Sequence, residues 1–513
     1  MSETPPDSAS PAAERRYDVV VIGSGPAAGT VVSGLKDSGK RVAAVDRRRF
    51  GGTCALRGCN PKKVLLNAAK VVDAARRSHG VMVEGGNTVD IDWPRLHAFQ
   101  TSFTDPVPPS RVDQFREAGA DCFAGNARFT AADTLVVEPW DVPGGDVPAG
   151  DVPGGEVPAG EGGAAPITLR FEQVVIATGS IPVPIDVPGK ERLTLSDQFL
   201  DVADVPERIV FIGGGYISLE FAHALLRADR EVTILEATPH ILDPFDHVLA
   251  DRLADRTRGL GARIECGVKL TAIEDAPDGS LIAVAERENG ADGETLRISC
   301  DAVVHGAGRT PAVESLACDA AGIDCDEQGV TVTDELVSTS NSRVFAAGDC
   351  AGLGHPMLTP VAEAHGDAVV QAILTGTPAA PNVSPLPSAA FTEPELAAVG
   401  LTAKEAEEQG VAFDLLEADI GTKGALRKRC EPCAGYRLLL EPKTGKLLGA
   451  HLLGPDMAEL INLFAVAMKH GLTLADLVAV PLTYPSLAAE ILQDAFDQAE
   501  QSASTGASKA GLS

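Results

Sequence analysis

Cys54 and Cys59 are the residues of this chain with the clearest chemistry. They stand five positions apart in Gly51-Gly52-Thr53-Cys54-Ala55-Leu56-Arg57-Gly58-Cys59-Asn60-Pro61-Lys62-Lys63. Two thiols at that spacing can close into a small disulfide ring. Pro61-Lys62-Lys63 leads into a predicted helix over Val64–Arg77. A thiolate near a helix N-terminus and a lysine is stabilised, so its pKa falls and more of it is nucleophilic at neutral pH. In an intracellular protein such a pair is more often catalytic than structural. Two cysteines that fall together by chance in a core are the bland alternative.

The elements around this pair read as nucleotide-binding. Val19-Val20-Val21-Ile22 is a short β-branched run that feeds Gly23-Ser24-Gly25-Pro26-Ala27-Ala28, a G-x-G-x-x-A turn, and then a helix. Glycines let the backbone approach a pyrophosphate, which the helix N-terminus then holds. Asp46 ends the next strand, about 20 residues on, where an acid binds ribose hydroxyls. The pattern occurs again. Arg208–Ile212 leads into Gly213-Gly214-Gly215-Tyr216-Ile217-Ser218, a helix, the strand Glu231–Leu235 and Glu236. Ser218 stands at the third glycine position and is small enough for close helix–strand packing. A disulfide accompanied by two dinucleotide sites implies electron flow from nicotinamide to flavin to disulfide to substrate.

With these motifs the chain resembles the pyridine nucleotide-disulfide oxidoreductases, the flavoprotein family of glutathione reductase, dihydrolipoyl dehydrogenase and mercuric reductase. The resemblance runs from Tyr17 to about Gln498. It also includes Ala177-Thr178-Gly179, Gly306-Ala307-Gly308-Arg309-Thr310-Pro311, Val344–Asp349, Leu358-Thr359-Pro360-Val361-Ala362 and Phe391-Thr392-Glu393-Pro394-Glu395.

The resemblance implies an FAD enzyme. Cys59 would be the thiol against the flavin and Cys54 the thiol that attacks the acceptor. Lys62 matches the lysine near flavin N5, Glu220 its ion-pair partner, and Tyr216 the aromatic gate of the nicotinamide pocket. Without the resemblance, Glu220 reads equally well as an exposed helical carboxylate. Gly23, Gly25, Ala28, Asp46, Gly52, Thr53, Lys63, Thr178, Gly179, Gly308, Arg309, Asp349 and Thr359 would surround the cofactors, with Asp349 on the ribityl chain. Gly213, Gly215, Tyr216 and Glu236 would hold the nicotinamide cofactor. A carboxylate at Glu236 accepts ribose hydroxyls and repels a 2′-phosphate. No arginine follows it in Ala237-Thr238-Pro239, so NADH is expected over NADPH.

The pattern breaks near the C-terminus. The reductases for glutathione and dihydrolipoamide carry His-Pro-x-x-x-Glu there, an acid–base pair for the thiols. Here Tyr484 stands at the histidine position and Ala489 at the glutamate position. Glu490 comes one residue late, about 100° around a helix. A tyrosine, with a pKa of about 10, is a poor base at neutral pH, but it can donate a hydrogen bond to a leaving thiolate. Ser33 and Gly34 stand where glutathione reductase carries recognition arginines, which argues against glutathione disulfide as the acceptor. A mercuric-type metal-ion reductase is an alternative, although no cysteine follows Cys433. A redox-sensing flavoprotein binding module is another.

Composition bounds these readings. The 513 residues are too many for one core. Hydrophobic residues make up 44% and charged residues 22%, as in ordinary globular proteins. A net charge of −29 argues against nucleic acid and anionic membranes as partners. The absence of a long apolar run and of a signal peptide points to the cytoplasm. No metal site is expected. Cys430-Glu431-Pro432-Cys433 lacks a second ligand pair and reads as a surface turn with two free thiols. Cys122, Cys266, Cys300, Cys318, Cys325 and Cys350 read as small core or surface residues.

The expected fold is α/β: two Rossmann-like dinucleotide-binding domains, for FAD and NAD, and a C-terminal α+β dimerisation domain. Residues 1–16 form a disordered tail and 17–200 the FAD domain. The NAD domain follows at 201–308, the FAD domain resumes at 309–378, and the dimerisation domain of a homodimer occupies 379–498. Residues 499–513 form a second disordered tail. Four Val-Pro-Gly/Ala-Gly repeats at 141–160 read as a flexible hairpin tip between the strands Thr134–Val137 and Ile167–Phe171.

Overall fold

The β-branched apolar runs become the central strands. The computed structural model describes residues 14–138, 166–287 and 294–505. The repeat at 141–160 lies outside the described residues. The chain divides into two compact units. The first comprises Met1–Pro61, Thr101–Val183 and Arg309–Val383, and the second Lys62–Gln100, Pro184–Gly308 and Ser384–Ser513.

In the first unit, β1 (Glu14–Ile22) lies between β2 (Val42–Asp46) and β6 (Ile167–Ile176), parallel to both. β3 (Ala120–Ala124) extends the sheet beyond β2. β5 (Thr134–Glu138) and β4 (Asn126–Ala131) continue it antiparallel beyond β6, and Val344–Ala346 pairs with β6 in parallel. Val19, Val20 and Val21 are fully buried, as expected for a central parallel strand covered on both faces. α1 (Pro26–Gly34) follows β1 directly. Strand order reverses at β1, which makes the C-terminal ends of β1 and β6 a ligand-binding switch point.

In the second unit, five parallel strands run in the order Arg263–Cys266, Glu231–Glu236, Arg208–Ile212, Ala302–His305 and Leu193–Leu195. A three-stranded antiparallel sheet is formed by Val268–Asp275, Leu281–Arg287 and Thr295–Cys300. A five-stranded antiparallel sheet is built from Ser388–Ala390, Glu395–Gly400, Leu447–Gly454, Gly435–Leu440 and Asp414–Asp419. No helix among the described residues is long and apolar enough to cross a membrane.

Several local expectations are corrected. Residues 14–16 are strand rather than tail: Glu14, Arg15 and Arg16 pair with Thr168, Leu169 and Arg170. That pairing exists because β6 is one ten-residue strand, with its first residues serving β5 and Thr168–Ile176 serving β1. At the other terminus the helix Leu487–Thr505 runs seven residues into the expected tail. Ala499 packs on the apolar cluster beside Phe496, and the Ala-Glu-Gln composition favours helix. α2 spans Gly52–Leu56, and α3 spans Cys59–Ser78, beginning five residues before Val64. Proline in a first turn removes only an N–H that has no helical partner, so Pro61 does not delay the start.

Candidate active site

The thiols belong to the first unit. Cys54 lies within α2 and is half-buried; Cys59 opens α3 and is exposed. The Cys59 thiol lies close enough to act on the Cys54 thiol. Thr359, the first residue of the helix Thr359–Thr375, directs its hydroxyl at Cys54 Sγ from 3.1 Å. The contact with Cys59 and burial push the Cys54 thiol up, while the Thr359 hydroxyl pulls it down. Two such thiols can together lose two electrons and two protons in closing to a disulfide.

Beside it lies a phosphate cradle. Gly25 caps α1 without a side-chain bond, and no acid stands in the first turn, so the first amides are free for an anion. Gly52 has φ +74°, and a Cβ there would fall 2.3 Å from Gly25 Cα. Two backbones therefore meet at a distance only glycine allows. Ala28, fully buried, lets α1 lie close to the sheet. Asp46, at the end of β2, accepts from Ser24 Oγ at 2.5 Å and from the Arg48 amide at 2.8 Å. Ser24 Oγ in turn accepts from the Gly51 amide at 2.9 Å. Burial pushes the Asp46 carboxyl up. Ser24 thus ties both glycine turns to Asp46, a role invisible in the motif because it occupies a variable position.

Thr178 and Gly179 follow the end of β6. Ser180 donates to Asp349 at 2.7 Å, and Arg309 grips Ser180 through Oγ at 2.8 Å and the carbonyl at 2.7 Å. An uncapped helix end in a glycine cradle, with Asp46 and Asp349 at strand ends, fits an FAD: pyrophosphate on the helix, hydroxyl-bearing chains on the carboxylates.

The second unit holds the charged constellation. Glu220, on the helix Tyr216–Arg227, is 1% exposed, not the exposed carboxylate its sequence context also allowed. Lys62 Nζ lies 3.0 Å from Oε2, and Lys63 Nζ lies 2.7 Å from both oxygens. The Phe391 amide donates to Oε1 at 3.1 Å. Burial alone would raise the Glu220 carboxyl; the two ammoniums outweigh it and hold it below the usual carboxylate range. Lys62 Nζ sits 5.2 Å from the Tyr216 ring centroid, and Lys63 Nζ 4.0 Å from that of Phe391. The bond from Lys63 to Glu220 and the part played by Phe391 went unread in the sequence. Adjacent lysines on one helix do not reveal which of them turns to a distant carboxylate.

The second nucleotide fingerprint is in this unit too. At Gly213, φ is +92° and a Cβ would fall 2.6 Å from Ala307 Cα. Gly215 caps the helix Tyr216–Arg227 without a side-chain bond or a first-turn acid. Glu236 accepts from the Gly214 amide at 2.5 Å and from the Thr238 amide at 2.7 Å. Gly308, with φ +97°, closes the Gly306–Gly308 turn.

Tyr484 is 79% exposed. Glu490 accepts from the Ala425 amide with both oxygens at 2.9 Å, so its carboxylate is already engaged. Cys430 and Cys433 are half-buried rather than on an open turn. Cys433 packs against the apolar core of the unit, and the fully buried Glu431 between them is drawn toward Arg77 (3.3 Å) and Arg256 (3.6 Å). Asp73, Glu393 and Glu431 bring carboxylate oxygens within 4.8 Å of one another. Arg77, Arg227 and Arg256 already compensate their charge.

The sequence pattern of "Pyridine nucleotide-disulphide oxidoreductase" matches residues 17–366, and that of its dimerisation domain matches residues 386–495. "Dihydrolipoyl dehydrogenase 3" of Haloarcula marismortui is 27% identical over 94% of this chain and 97% of its own length. "Mercuric reductase" of Staphylococcus aureus is 27% identical over 90% of this chain and 78% of its own length. The copper(II) complex of the HOCl-induced flavoprotein disulfide reductase RclA from Escherichia coli superposes with a TM-score of 0.78 at 25% identity, covering 94% of this chain and 99% of that one. The chain belongs to the pyridine nucleotide-disulphide oxidoreductases, FAD-dependent enzymes of α/β fold.

Proposed function

We propose that this enzyme carries electrons from NADH to the Cys54–Cys59 pair and on to a small disulfide or related acceptor. The observation that carries this reading is Cys54 beside Cys59, with the Thr359 hydroxyl at 3.1 Å from Cys54 Sγ. FAD, when bound, supplies the transfer of an electron pair between nicotinamide and disulfide.

The protein's own steps are thiol chemistry. The Cys54 thiolate attacks an acceptor disulfide, forming a mixed disulfide and releasing one thiolate. The Cys59 thiolate then attacks Cys54 sulfur, releases the second thiolate and leaves the Cys54–Cys59 disulfide for re-reduction. Thr359 orients the Cys54 sulfur. Lys62, Lys63 and Glu220 together carry one net positive charge, suited to stabilising a reduced, anionic centre. Tyr484 offers a hydrogen bond to the departing thiolate. The match to the dimerisation domain supports a homodimer, and a working dithiol suits the reducing cytoplasm.

Glu236 supports NADH over NADPH, as the acid at the end of the second fingerprint strand. Tyr484 and Ala489, in place of a histidine–glutamate pair, favour acceptors whose reduction does not depend on protonating a leaving thiolate: low-pKa aromatic disulfides, quinones or thiophilic metal ions. The metal-ion reading draws on the likeness to mercuric reductase.

The test is anaerobic reduction by NADH followed by alkylation mapping, then an acceptor panel. NADH should expose Cys54 and Cys59 to alkylation. An aromatic disulfide should outrun glutathione disulfide in kcat/KM, and Tyr484→His/Ala489→Glu should narrow the gap by part of the roughly 10²–10⁴-fold typical of acid–base catalysis. NADH without effect on either thiol would sink the reading.

A further inference from the structure

In the first unit, Gly354-His355-Pro356-Met357 runs into Leu358 and Thr359, the start of the helix whose first hydroxyl meets Cys54. Pro360 favours helix at that start, but Leu358, the N-cap, makes no side-chain bond to the first turn. The approach is loosened by glycine, with φ +68° at Gly354. Before it, the segment is tied down: Ala351 bridges Val330, and the Gly352 amide donates to the Val330 carbonyl at 3.0 Å. Beyond it, Gly354–Met357 makes one hydrogen bond to another element among the described residues. The half-buried His355 meets His365 there, Nδ1 to Nε2, at 2.9 Å.

His365 belongs to the helix Thr359–Thr375 itself and is 1% exposed. Its other ring nitrogen is engaged as well: the Gly348 amide donates to Nδ1 at 3.2 Å. A backbone N–H can only donate, so Nδ1 carries no proton and Nε2 does. Nε2 therefore donates to His355 Nδ1. Burial, and next the charge of His355, push His365 down to about 4, so the ring stays neutral at neutral pH and keeps this arrangement. Its backbone is held too. The next residue, Gly366, packs so closely on α1 that a Cβ there would fall 2.7 Å from Thr30 Cβ. Gly348 precedes Asp349, and His355 precedes Thr359 by one turn's length of chain. One buried ring thus joins both ends of the segment between Asp349 and Thr359.

We propose that His365 is a positioning residue for Cys54: by accepting from Gly348 and donating to His355 it fixes the start of its own helix and so aims the Thr359 hydroxyl at the Cys54 sulfur. A hydroxyl held on that sulfur stabilises the thiolate over the thiol. Cutting the link at either histidine leaves Thr359 in place but lets its hydroxyl turn away. The importance of the link for turnover rests on Cys54 as the attacking thiol. The link itself is read from Cys54 reactivity and does not depend on that role.

The experiment measures the rate at which iodoacetamide alkylates Cys54 at pH 7 in holoenzyme reduced with dithiothreitol. The tryptic segment from Phe50 to Arg57 holds Cys54 and no other cysteine, so its mass reports that thiol alone. Thr359→Val should slow the reaction roughly three- to tenfold, because losing a hydrogen bond to the thiolate lowers its fraction faster than its nucleophilicity rises. His355→Leu, a change at a half-buried loop position, should slow it to a similar extent, and so should His365→Leu. His355→Asn should stay within about twofold of wild type, since its Oδ1 can accept where Nδ1 does. Thr359→Val/His355→Leu should be no slower than Thr359→Val alone, because both act through one hydroxyl. Wild-type reactivity in His355→Leu overturns the proposal. So does a double variant in which the two effects multiply. NADH-dependent exposure of Cys54 in wild type, read on the same segment, reports the enzyme reading separately.

Discussion

Lys63 Nζ stands 2.7 Å from each carboxylate oxygen of Glu220, so one buried acid serves two lysines, Lys62 and Lys63. Lys62 is the deeper of the two, its side chain 6% exposed against 31% for Lys63. Glu220 is therefore what makes a buried ammonium at Lys62 tolerable.

Glu220→Gln should destabilise the protein by about 3–5 kcal/mol, because it leaves a buried charge without its partner. Lys63→Met should cost less, since its head reaches solvent. The native Glu220 carboxyl is held below its usual range. Its contribution is thus complete at neutral pH and fades as pH falls through the acid range. Denaturant midpoints at pH 7 and pH 4 check both statements. An unchanged midpoint for Glu220→Gln at pH 7 would contradict the first.

Cys59→Ser should abolish the long-wavelength thiolate–flavin absorbance that appears on reduction by NADH, whereas Cys54→Ser should keep or strengthen it. The assignment follows from position in the motif, with Cys59 as the thiol against the flavin. Anaerobic spectra of the two variants decide it. A band surviving in Cys59→Ser would exchange the two roles.

Glu236 has two consequences for coenzyme use. Its carboxylate accepts from the Gly214 and Thr238 amides, so it shapes the turn in addition to the ribose contact proposed for it. Glu236→Ala should lower kcat/KM for NADH and narrow the ratio of NADH to NADPH. Initial rates with both coenzymes measure this. Wild type that prefers NADPH would refute the role given to Glu236.

Burial, and next the Asp73 charge, push the Glu393 carboxyl up to about 7, against the pull of Lys70, Arg77 and Arg227. The native state therefore holds a proton that the unfolded chain releases in the ordinary carboxyl range. Between that range and pH 7, stability attributable to Glu393 falls as pH rises. Glu393→Gln should raise the melting temperature more at pH 8 than at pH 5. Thermal scans at both values test it, and a larger gain at pH 5 would reverse the sign.

Local chemistry made much of this protein legible in its sequence. Val19–Ile22 and Arg208–Ile212 announce parallel strands by their β-branched runs, and the glycines after them announce anion-binding turns by what a backbone needs to approach a phosphate. Cys54 and Cys59 point to redox chemistry by their spacing taken together with the two fingerprints. These signals lie within a few residues of one another, so the sequence by itself determined the α/β class, the two fingerprints and the reactive pair.

What only the tertiary structure decided depends on contacts between distant residues. Glu220 gathers Lys62, Lys63 and the Phe391 amide from segments up to 171 residues away in sequence. Ser24, a variable position in its motif, joins Asp46 to Gly51. Arg77 and Arg256 draw Glu431 out of a turn that composition assigns to the surface. Residue type states which partners a buried charge or thiol requires. Which residue supplies the partner is settled by packing, because a buried polar group must be satisfied by whatever the fold brings within reach.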